Sequence, residues 1–256
     1  MIYELPDPAV ADHLFANSTD TVITSALQWI MGKVYADDLQ NPTGAMIFLN
    51  VFVFFAGEPN EELLQYKPDS FNGDFAVFVP QNEEWEACIE RVWADKAEKF
   101  SRYAIKKEPD VFDVQKLTAF TQEIPKSVTL QLIDKNLYTQ CLQNEWSKDF
   151  VCNYKNADDF LCNGLGVVAV ENGRIIAGAS SFSNYNGGIE IEIVTHEDHR
   201  RRGLATAVGA KLILACLKRG LYPNWDAATK ISVALAEKLG YHFSHEYTAY
   251  RICPYV

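Results

Sequence analysis

Two glutamates followed by a group of arginines form the most chemically informative pattern in the chain. Glu190 and Glu192 alternate with isoleucines, and three arginines at positions 200–202 precede Gly203. A carboxylate is ionised near pH 7 and can accept a proton from a bound molecule, directly or through water. Arginines beside a glycine suit an anion, because glycine lets the backbone approach it closely. The pattern predicts a phosphate-binding loop next to a strand that carries two carboxylates.

The neighbouring sequence predicts the elements that position these residues. Apolar and acidic residues alternate over positions 189–193, which is the period of a strand with two unlike faces. Apolar residues then recur at helical spacing from Leu204 to Arg219, and Gly220 ends the helix. A helix that begins directly after the loop offers unpaired N–H groups and the positive end of its dipole. Strand, loop and helix together predict a cradle for a phosphate group.

Charge is unevenly distributed along the chain. The formal net charge is −11, which argues against non-specific nucleic-acid binding as the main activity. Positions 199–225 nevertheless contain six lysines or arginines and no acidic residue. A solvated helix face is the commoner explanation for Lys211, Lys218 and Arg219, whereas the three adjacent arginines favour an anion.

Length and composition indicate a globular protein. The 256 residues suffice for two domains, and 48% of them are hydrophobic while 22% are charged. The six cysteines show no paired metal-ligand spacing, so we expect free thiols, mostly in the core, and no metal site. The start of the chain lacks a signal peptide, and the longest apolar run, 45–56, is too short to span a bilayer. These features predict a cytoplasmic protein that does not enter membranes.

The chain divides in two at Pro125, so the predicted domains are residues 1–125 and 126–256. The first half has mixed α/β signals without a motif of chemistry. Its predicted helices are 18–31, 82–93 and 114–120, its strands are 45–55, 75–79 and 100–106, and Asn72–Gly73 is a turn. It is either a degenerate duplicate of the second half or, more plausibly, an accessory domain that walls off a substrate cleft or forms a homodimer contact.

The second half predicts a mixed α/β sheet. Asn172–Gly173 indicates a two-residue hairpin turn, and a second turn at 186–188 completes a three-stranded antiparallel meander. A first strand at 128–133 with helices at 134–143 and 157–162 precedes the meander. The helix after Gly203 leads to a parallel strand at 221–225, a helix at 228–239 closed by Gly240, and a final strand at 241–252.

Two motifs in this half resemble those of the GNAT superfamily of acyl-CoA-dependent N-acetyltransferases. Positions 200–205 match (Gln/Arg)-x-x-Gly-x-(Gly/Ala), the acetyl-CoA loop of the family. The family's second motif, Asn-x-x-(Ala/Ser)-x-x-Leu-Tyr-x-x-x-Gly-(Phe/Tyr), is matched at Ser232, Leu235, Gly240 and Tyr241. The resemblance covers residues 127–252 and implies a GNAT-like fold there. The stretch 224–226, followed by the second motif, also resembles the branch that includes zwittermicin-A resistance proteins.

The resemblance implies how acetyl-CoA binds. In the family the fourth and fifth strands part, and the pantetheine arm pairs with the exposed edge of the fourth strand. Pro223 fits a strand that parts from its neighbour, although an ordinary edge proline explains it equally well. The cofactor-binding residues implied in this sequence are Ile193, Val194, Thr195, Arg200, Arg201, Arg202, Gly203, Leu204, Ala205, Thr206 and Thr229. Thr229 replaces the motif asparagine and is otherwise a helix cap.

The resemblance also implies direct attack of a small-molecule amine on the thioester of acetyl-CoA. Glu190 and Glu192 are the candidate bases, and the alternative for both is a solvent-exposed sheet face. A backbone N–H near Ile193 is expected to stabilise the oxyanion. The tyrosine that serves many members as general acid is replaced by Ala236. The remaining candidates for an acid are Tyr241, Tyr247 and Tyr250.

Several interpretations remain open at this point. We expect His196 and His199 to be loop residues that at most touch phosphate. Trp225 and Asp226 either contact substrate or pack under the following helix. Because Ala236 replaces the acid, a non-catalytic acyl-CoA-binding regulatory module is an alternative to the enzyme, and a structural protein without ligand is a third.

Overall fold

A computed structural model describes residues 1–71 and 73–255. The chain forms two compact units, unit 1 (Met1–Arg102 with Glu246–Val256) and unit 2 (Tyr103–His245). The predicted Asn72–Gly73 turn includes Asn72, which lies outside the described residues. The elements that begin in unit 1 are β1 (Tyr3–Glu4), α1 (Thr21–Leu27), β2 (Lys33–Ala36), β3 (Gly44–Leu49), β4 (Phe52–Gly57), α2 (Glu61–Gln65), β5 (Ala76–Pro80), α3 (Glu83–Trp93) and β6 (Ala97–Ile105).

Unit 2 contains the remaining elements. They are α4 (Val114–Gln122), β7 (Val128–Leu132), α5 (Lys135–Leu142), α6 (Ala157–Asn163), β8 (Gly166–Glu171), β9 (Arg174–Tyr185), β10 (Gly188–Thr195), α7 (Leu204–Lys218), β11 (Tyr222–Asn224), β12 (Asp226–Ala227), α8 (Lys230–Leu239) and β13 (Phe243–Ile252). β6 and β13 each continue across the boundary between the units. The predicted division at residue 125 falls inside unit 2, because α4 packs against α7.

Five strands of unit 2 form one sheet in the order β11-β10-β9-β8-β7. β7 to β10 are antiparallel neighbours and β10 is parallel to β11, which confirms the predicted meander and crossover. Asn172 and Gly173 have φ values of 51° and 76°, as a type I′ turn requires. Ile189 and Ile191 of β10 belong to one buried core with Leu204 and Val208 of α7.

The strands of unit 1 follow the order β1-β2-β3-β4-β5-β13. One prediction here was wrong, because positions 45–55 form a hairpin rather than a single strand. Leu49 pairs with Phe52, and Asn50 turns the chain with φ 57°. Asparagine tolerates this left-handed conformation better than other side chains, and in an otherwise apolar run it was the only sign of a turn.

Both units contain their elements in the same order. Each has a strand, a helical segment, three antiparallel strands, a helix, a strand parallel to the third, another helix and another strand. In unit 1 the three antiparallel strands are β2, β3 and β4, and in unit 2 they are β8, β9 and β10. The N-terminal half was interpreted either as a degenerate duplicate or as an accessory domain. A repeated order of elements is what a duplicate would have. Among the residues described, no helix is both long and apolar enough to cross a membrane.

Candidate functional site

The sheet of unit 2 opens between β10 and β11. These strands pair at only three positions, the last of which joins Glu190 to Asn224. β10 continues along β9 as far as Thr195, whereas the chain beyond Asn224 turns away to β12, which pairs with β6. Within the described part of the chain, residues 191–195 therefore have no strand partner on the β11 side. The gap lies where the parting of the fourth and fifth strands was predicted.

The backbone of β10 presents polar groups to this gap. His196 donates its N–H to the carbonyl of Ile176 at 3.0 Å, on the β9 side. Because neighbouring residues in a strand direct their N–H and C=O groups to opposite sides, Ile193 and Thr195 face the gap and Val194 faces β9. The Thr195 hydroxyl is also buried without a hydrogen-bond partner among the described residues. Two of the three predicted edge residues can therefore pair with a ligand through their backbone.

The loop after β10 leads into an uncapped helix. Gly203 has φ 77° and ψ 0°, and a Cβ placed there would have only the Glu123 carbonyl within 4 Å, at 3.7 Å. Among the described residues no side chain caps α7. The side chain of Leu204 is buried and anchors the helix in the core. Because the first N–H groups of a helix have no acceptor within the helix, those of Gly203, Leu204, Ala205 and Thr206 are candidates to bind a ligand.

The three arginines of the loop have different environments. Arg202 forms a bidentate pair with Glu171 of β8 at 2.9 and 2.8 Å, and Ser127 donates to the same carboxylate at 2.5 Å. The hydrogen bond from Arg202 lowers the pKa of Glu171 to about 2. Arg200 and Arg201 are exposed and form no ion pair within residues 1–71 and 73–255. Arg202 thus fixes the loop to the sheet, and the other two are available to an anion.

The two glutamates of β10 also differ. Glu190 is 6% exposed, and its carboxylate accepts hydrogen bonds from Asn224 Nδ2 at 2.6 Å and from the Asp226 N–H at 2.8 Å. Glu192 is half-buried, two residues nearer the loop. A solvent-exposed face, the alternative for both, does not describe Glu190. Sequence reasoning missed Asn224 and Asp226 as its partners.

The gap and the loop can be compared with known proteins. The GNAT acetyltransferase family model matches residues 12–250. The chain belongs to the GNAT acetyltransferase family. It is 25% identical over 235 residues to the uncharacterized N-acetyltransferase YdfB of Bacillus subtilis, covering 87% of this chain and 86% of the relative. The GNAT match includes the N-terminal half, where the sequence showed no motif.

Solved GNAT structures show the same fold. A GCN5-related N-acetyltransferase-like protein from Streptococcus suis has a TM-score of 0.90 and 44% identity, over 95% of this chain and 97% of that protein. A tandem GNAT protein from the clavulanic acid biosynthesis pathway has a TM-score of 0.53 and 11% identity, over 98% of both chains. The second likeness concerns the fold alone.

Unit 1 of this GNAT protein lacks the features of the candidate site. Its parallel strands β4 and β5 pair over four positions, from Phe52 to Phe55, and the Gln81 N–H extends the pairing to the Phe55 carbonyl at 2.9 Å. The Asn60 side chain caps the following helix, α2, whose first turn contains Glu61 and Glu62. A capped and acidic helix start repels a phosphate, and β4 extends by two residues, Ala56 and Gly57, beyond its pairing with β5. The candidate site is therefore in unit 2.

The second GNAT motif mainly builds structure. Thr229 caps α8 by accepting the Ser232 N–H at 3.2 Å. Trp225 is buried, donates from Nε1 to Ser232 Oγ at 3.2 Å and packs edge-on against Tyr241. The structure thus places Trp225 under the following helix, which was one of its two interpretations. Ala236 is fully buried.

The candidate tyrosines each have a place in the fold. Tyr241 is buried and donates to the Pro223 carbonyl at 2.6 Å, and burial raises its pKa well above the usual value. Tyr247 and Tyr250 belong to unit 1. Tyr250 donates there to Glu90 at 2.6 Å, and its pKa is raised to about 12, chiefly by burial.

Both loop histidines have protein partners. His199 Nδ1 lies 2.7 Å from Arg202 Nη1, and the His196 ring packs edge-on against Trp146 with ring centroids 5.3 Å apart. Both histidines line a cavity of about 440 Å³ beside the loop. A signal missed in the sequence is Lys238 of α8, whose Nζ lies 3.3 Å from Thr206 Oγ1 in the first turn of α7. Among the described residues, no cluster of histidine, cysteine and acidic side chains is arranged to hold a metal.

Proposed function

We propose that unit 2 binds acetyl-CoA and transfers its acetyl group to an amine of a small molecule. The observation that carries this proposal is the unpaired edge of β10, which leads directly into the uncapped start of α7. An unpaired strand edge suits the amides of a pantetheine arm, and an uncapped helix start suits a diphosphate. Family membership supports the same reaction.

The proposed contacts follow from the positions of the groups. The N–H groups of residues 203–206 and the side chains of Arg200 and Arg201 bind the diphosphate. The backbone N–H of Arg202 lies in the same loop and is a further candidate donor. Ile193 and Thr195 pair with the pantetheine amides, while Val194 lines the edge with its side chain. The Thr229 hydroxyl oxygen already accepts the Ser232 N–H as a helix cap. We therefore propose that Thr229 contacts the cofactor by donating its hydroxyl hydrogen.

The proposed chemistry requires few groups. The bound thioester supplies an acetyl carbon that is open to nucleophilic attack. A carboxylate of β10, Glu190 or Glu192, removes the proton from the substrate ammonium. The N–H of Ile193 donates to the thioester oxygen as negative charge develops there. Coenzyme A thiolate is a tolerable leaving group, so the buried Ala236 at the usual tyrosine position is compatible with turnover.

Binding and turnover measurements test the proposal separately. We expect titration calorimetry to detect acetyl-CoA binding and a thiol-release assay to show turnover with at least one member of an amine library. No binding at millimolar acetyl-CoA would refute the proposal. Tight binding without turnover above background hydrolysis would favour the second candidate, a regulatory acyl-CoA-binding module, which the alanine at position 236 supports.

We further propose that the chain lies in the branch of the family that includes zwittermicin-A resistance proteins. The support is the stretch Asn224, Trp225 and Asp226, which borders the gap. The amine library should therefore contain antibiotic-like amines together with simple alkyl amines. Acetylation of alkyl amines alone would argue against this branch.

A further inference from the structure

The branch point between β10 and β11 is held by a buried carboxylate. Glu190 is the last residue of β10 that pairs with β11, and its partner in the register is Asn224. Its two oxygens accept hydrogen bonds from different residues of the departing chain. Oε2 accepts from Asn224 Nδ2 at 2.6 Å, and Oε1 accepts from the Asp226 N–H at 2.8 Å. One side chain thus joins β10 to both sides of the bend where the sheet opens.

The rest of the bend is fixed by unit 2 as well. Tyr241 donates to the Pro223 carbonyl at 2.6 Å, and Trp225 donates to Ser232 Oγ at 3.2 Å. Residues 223–226 therefore each have a hydrogen bond that sets the direction of the chain. Of these contacts, only those of Glu190 come from the strand that borders the gap.

Unit 1 provides an internal comparison. Its third antiparallel strand, β4, contains only apolar residues and glycine between Phe52 and Gly57. No carboxylate can therefore reach from this strand to a bend in β5. The two strands stay paired as far as Phe55 with Pro80. In unit 1 two residues of β4 extend beyond the last pair with β5, whereas in unit 2 five residues of β10 extend beyond the last pair with β11.

We propose that Glu190 is a positioning residue that holds the sheet open for the cofactor, and that it is not the base that removes the proton. This proposal rests on the proposed acetyl-CoA site. A general base must reach the substrate ammonium, whereas the Glu190 carboxylate is only 6% exposed and both of its oxygens are directed to the bend. Removing the carboxylate would take an acceptor from the buried Asn224 amide and from the partly buried Asp226 N–H, which destabilises the bend.

Variants that replace or exchange the carboxylate at position 190 and the amide at position 224 separate a positioning role from a catalytic one. In Glu190→Gln, the glutamine oxygen still accepts from the Asp226 N–H, and rotation of the Asn224 amide restores the other contact. We expect kcat and the acetyl-CoA Kd to change by less than about threefold, compared with the ~10²- to 10⁴-fold loss of rate typical when a general base is removed. Glu192→Gln, measured beside it, should show that loss with an unchanged Kd.

The single variant Asn224→Asp should fail and the double variant should recover. Two carboxylates facing each other in a buried position repel, so we expect Asn224→Asp to raise the acetyl-CoA Kd by about tenfold or more. In Glu190→Gln with Asn224→Asp, the glutamine amide donates to the aspartate, and Kd should return to within about threefold of wild type. A hundredfold lower kcat for Glu190→Gln with unchanged Kd, or no recovery in the double variant, would overturn the proposal.

Failure of the positioning role of Glu190 can be distinguished from failure of the proposed function. The same four proteins are compared by their urea unfolding midpoints, which require no cofactor. If wild type binds no acetyl-CoA, the proposed function fails, while recovery of the midpoint in the double variant still reports the hydrogen bond between positions 190 and 224. If wild type binds acetyl-CoA and the double variant recovers only its midpoint, Glu190 supports the fold without positioning the cofactor gap, and the proposal fails.

Discussion

Replacing Gly203 by aspartate should weaken acetyl-CoA binding through charge. Gly203 precedes the first turn of α7 with φ 77°, and the space around its Cβ position is open. A side chain therefore fits, at the strain that any non-glycine residue has at positive φ. Asparagine has nearly the same shape and tolerates this conformation as aspartate does. The difference between Gly203→Asp and Gly203→Asn thus isolates the negative charge.

The size of the effect follows from the exposure of the site. A carboxylate about 5 Å from one phosphate charge opposes it by ~3 kcal/mol at an effective dielectric constant of about 20, and by ~1 kcal/mol in bulk water. These values correspond to roughly 200-fold and fivefold losses of affinity. Gly203 is exposed, so screening by water and salt reduces the interaction. We expect the aspartate variant to bind about tenfold more weakly than the asparagine variant.

Titration calorimetry with acetyl-CoA at low and high salt measures this difference. The difference in acetyl-CoA affinity between the two variants should decrease at high salt, because added ions screen exposed charges. Gly220→Asp is a matched control, since Gly220 also has a positive φ of 68° with open space around it but follows the other end of α7. Equal affinities for Gly203→Asp and Gly203→Asn would refute the assignment of the loop.

Three further predictions concern the site and its support. Glu192→Gln should lower kcat by ~10²- to 10⁴-fold without changing the acetyl-CoA Kd, and an unchanged kcat would exclude Glu192 as base. The pKa of Glu171 is lowered from 4.5 to about 2 by Arg202, so its contribution to stability is present above pH 4.5 and is lost as the pH falls towards 2. Urea midpoints should therefore fall less between pH 5 and pH 2.5 in Glu171→Gln than in wild type; equal falls would contradict the pairing. Trp225→Phe removes the bond to Ser232 and should cost ~1 kcal/mol of unfolding free energy, with the KM for the amine unchanged; a raised KM would restore the substrate-contact interpretation.

Local signals predicted much of unit 2. Asn172 and Gly173 formed the expected turn, because only a few residue types accept positive φ at both central positions. The helix after Gly203 and its parallel neighbour strand were also found, since both depend on periodicity and on the order of elements. The position of the gap followed from the family resemblance together with Pro223, which lies in β11.

Contacts between distant residues were not predictable. Strand alternation places Glu190 on a face of the sheet, but its partners depend on the path of the chain after Asn224. The pair between Glu171 and Arg202 joins residues 31 positions apart and follows no periodic rule. The hairpin at Asn50 was missed because apolar residues on both sides conceal the turn.

The path of β13 has a consequence for the order in which the protein can mature. Tyr250, Ile252 and Tyr255 are buried in the core of unit 1, and Tyr250 pairs with Phe78 of β5. A ribosome that has finished residues 1–102 has therefore not yet made all the parts of unit 1. During synthesis, more than a hundred further residues must be added before β13 can pair with β5 in the sheet of unit 1. A nascent chain halted after His245 would display an unfilled β5 edge to chaperones and proteases.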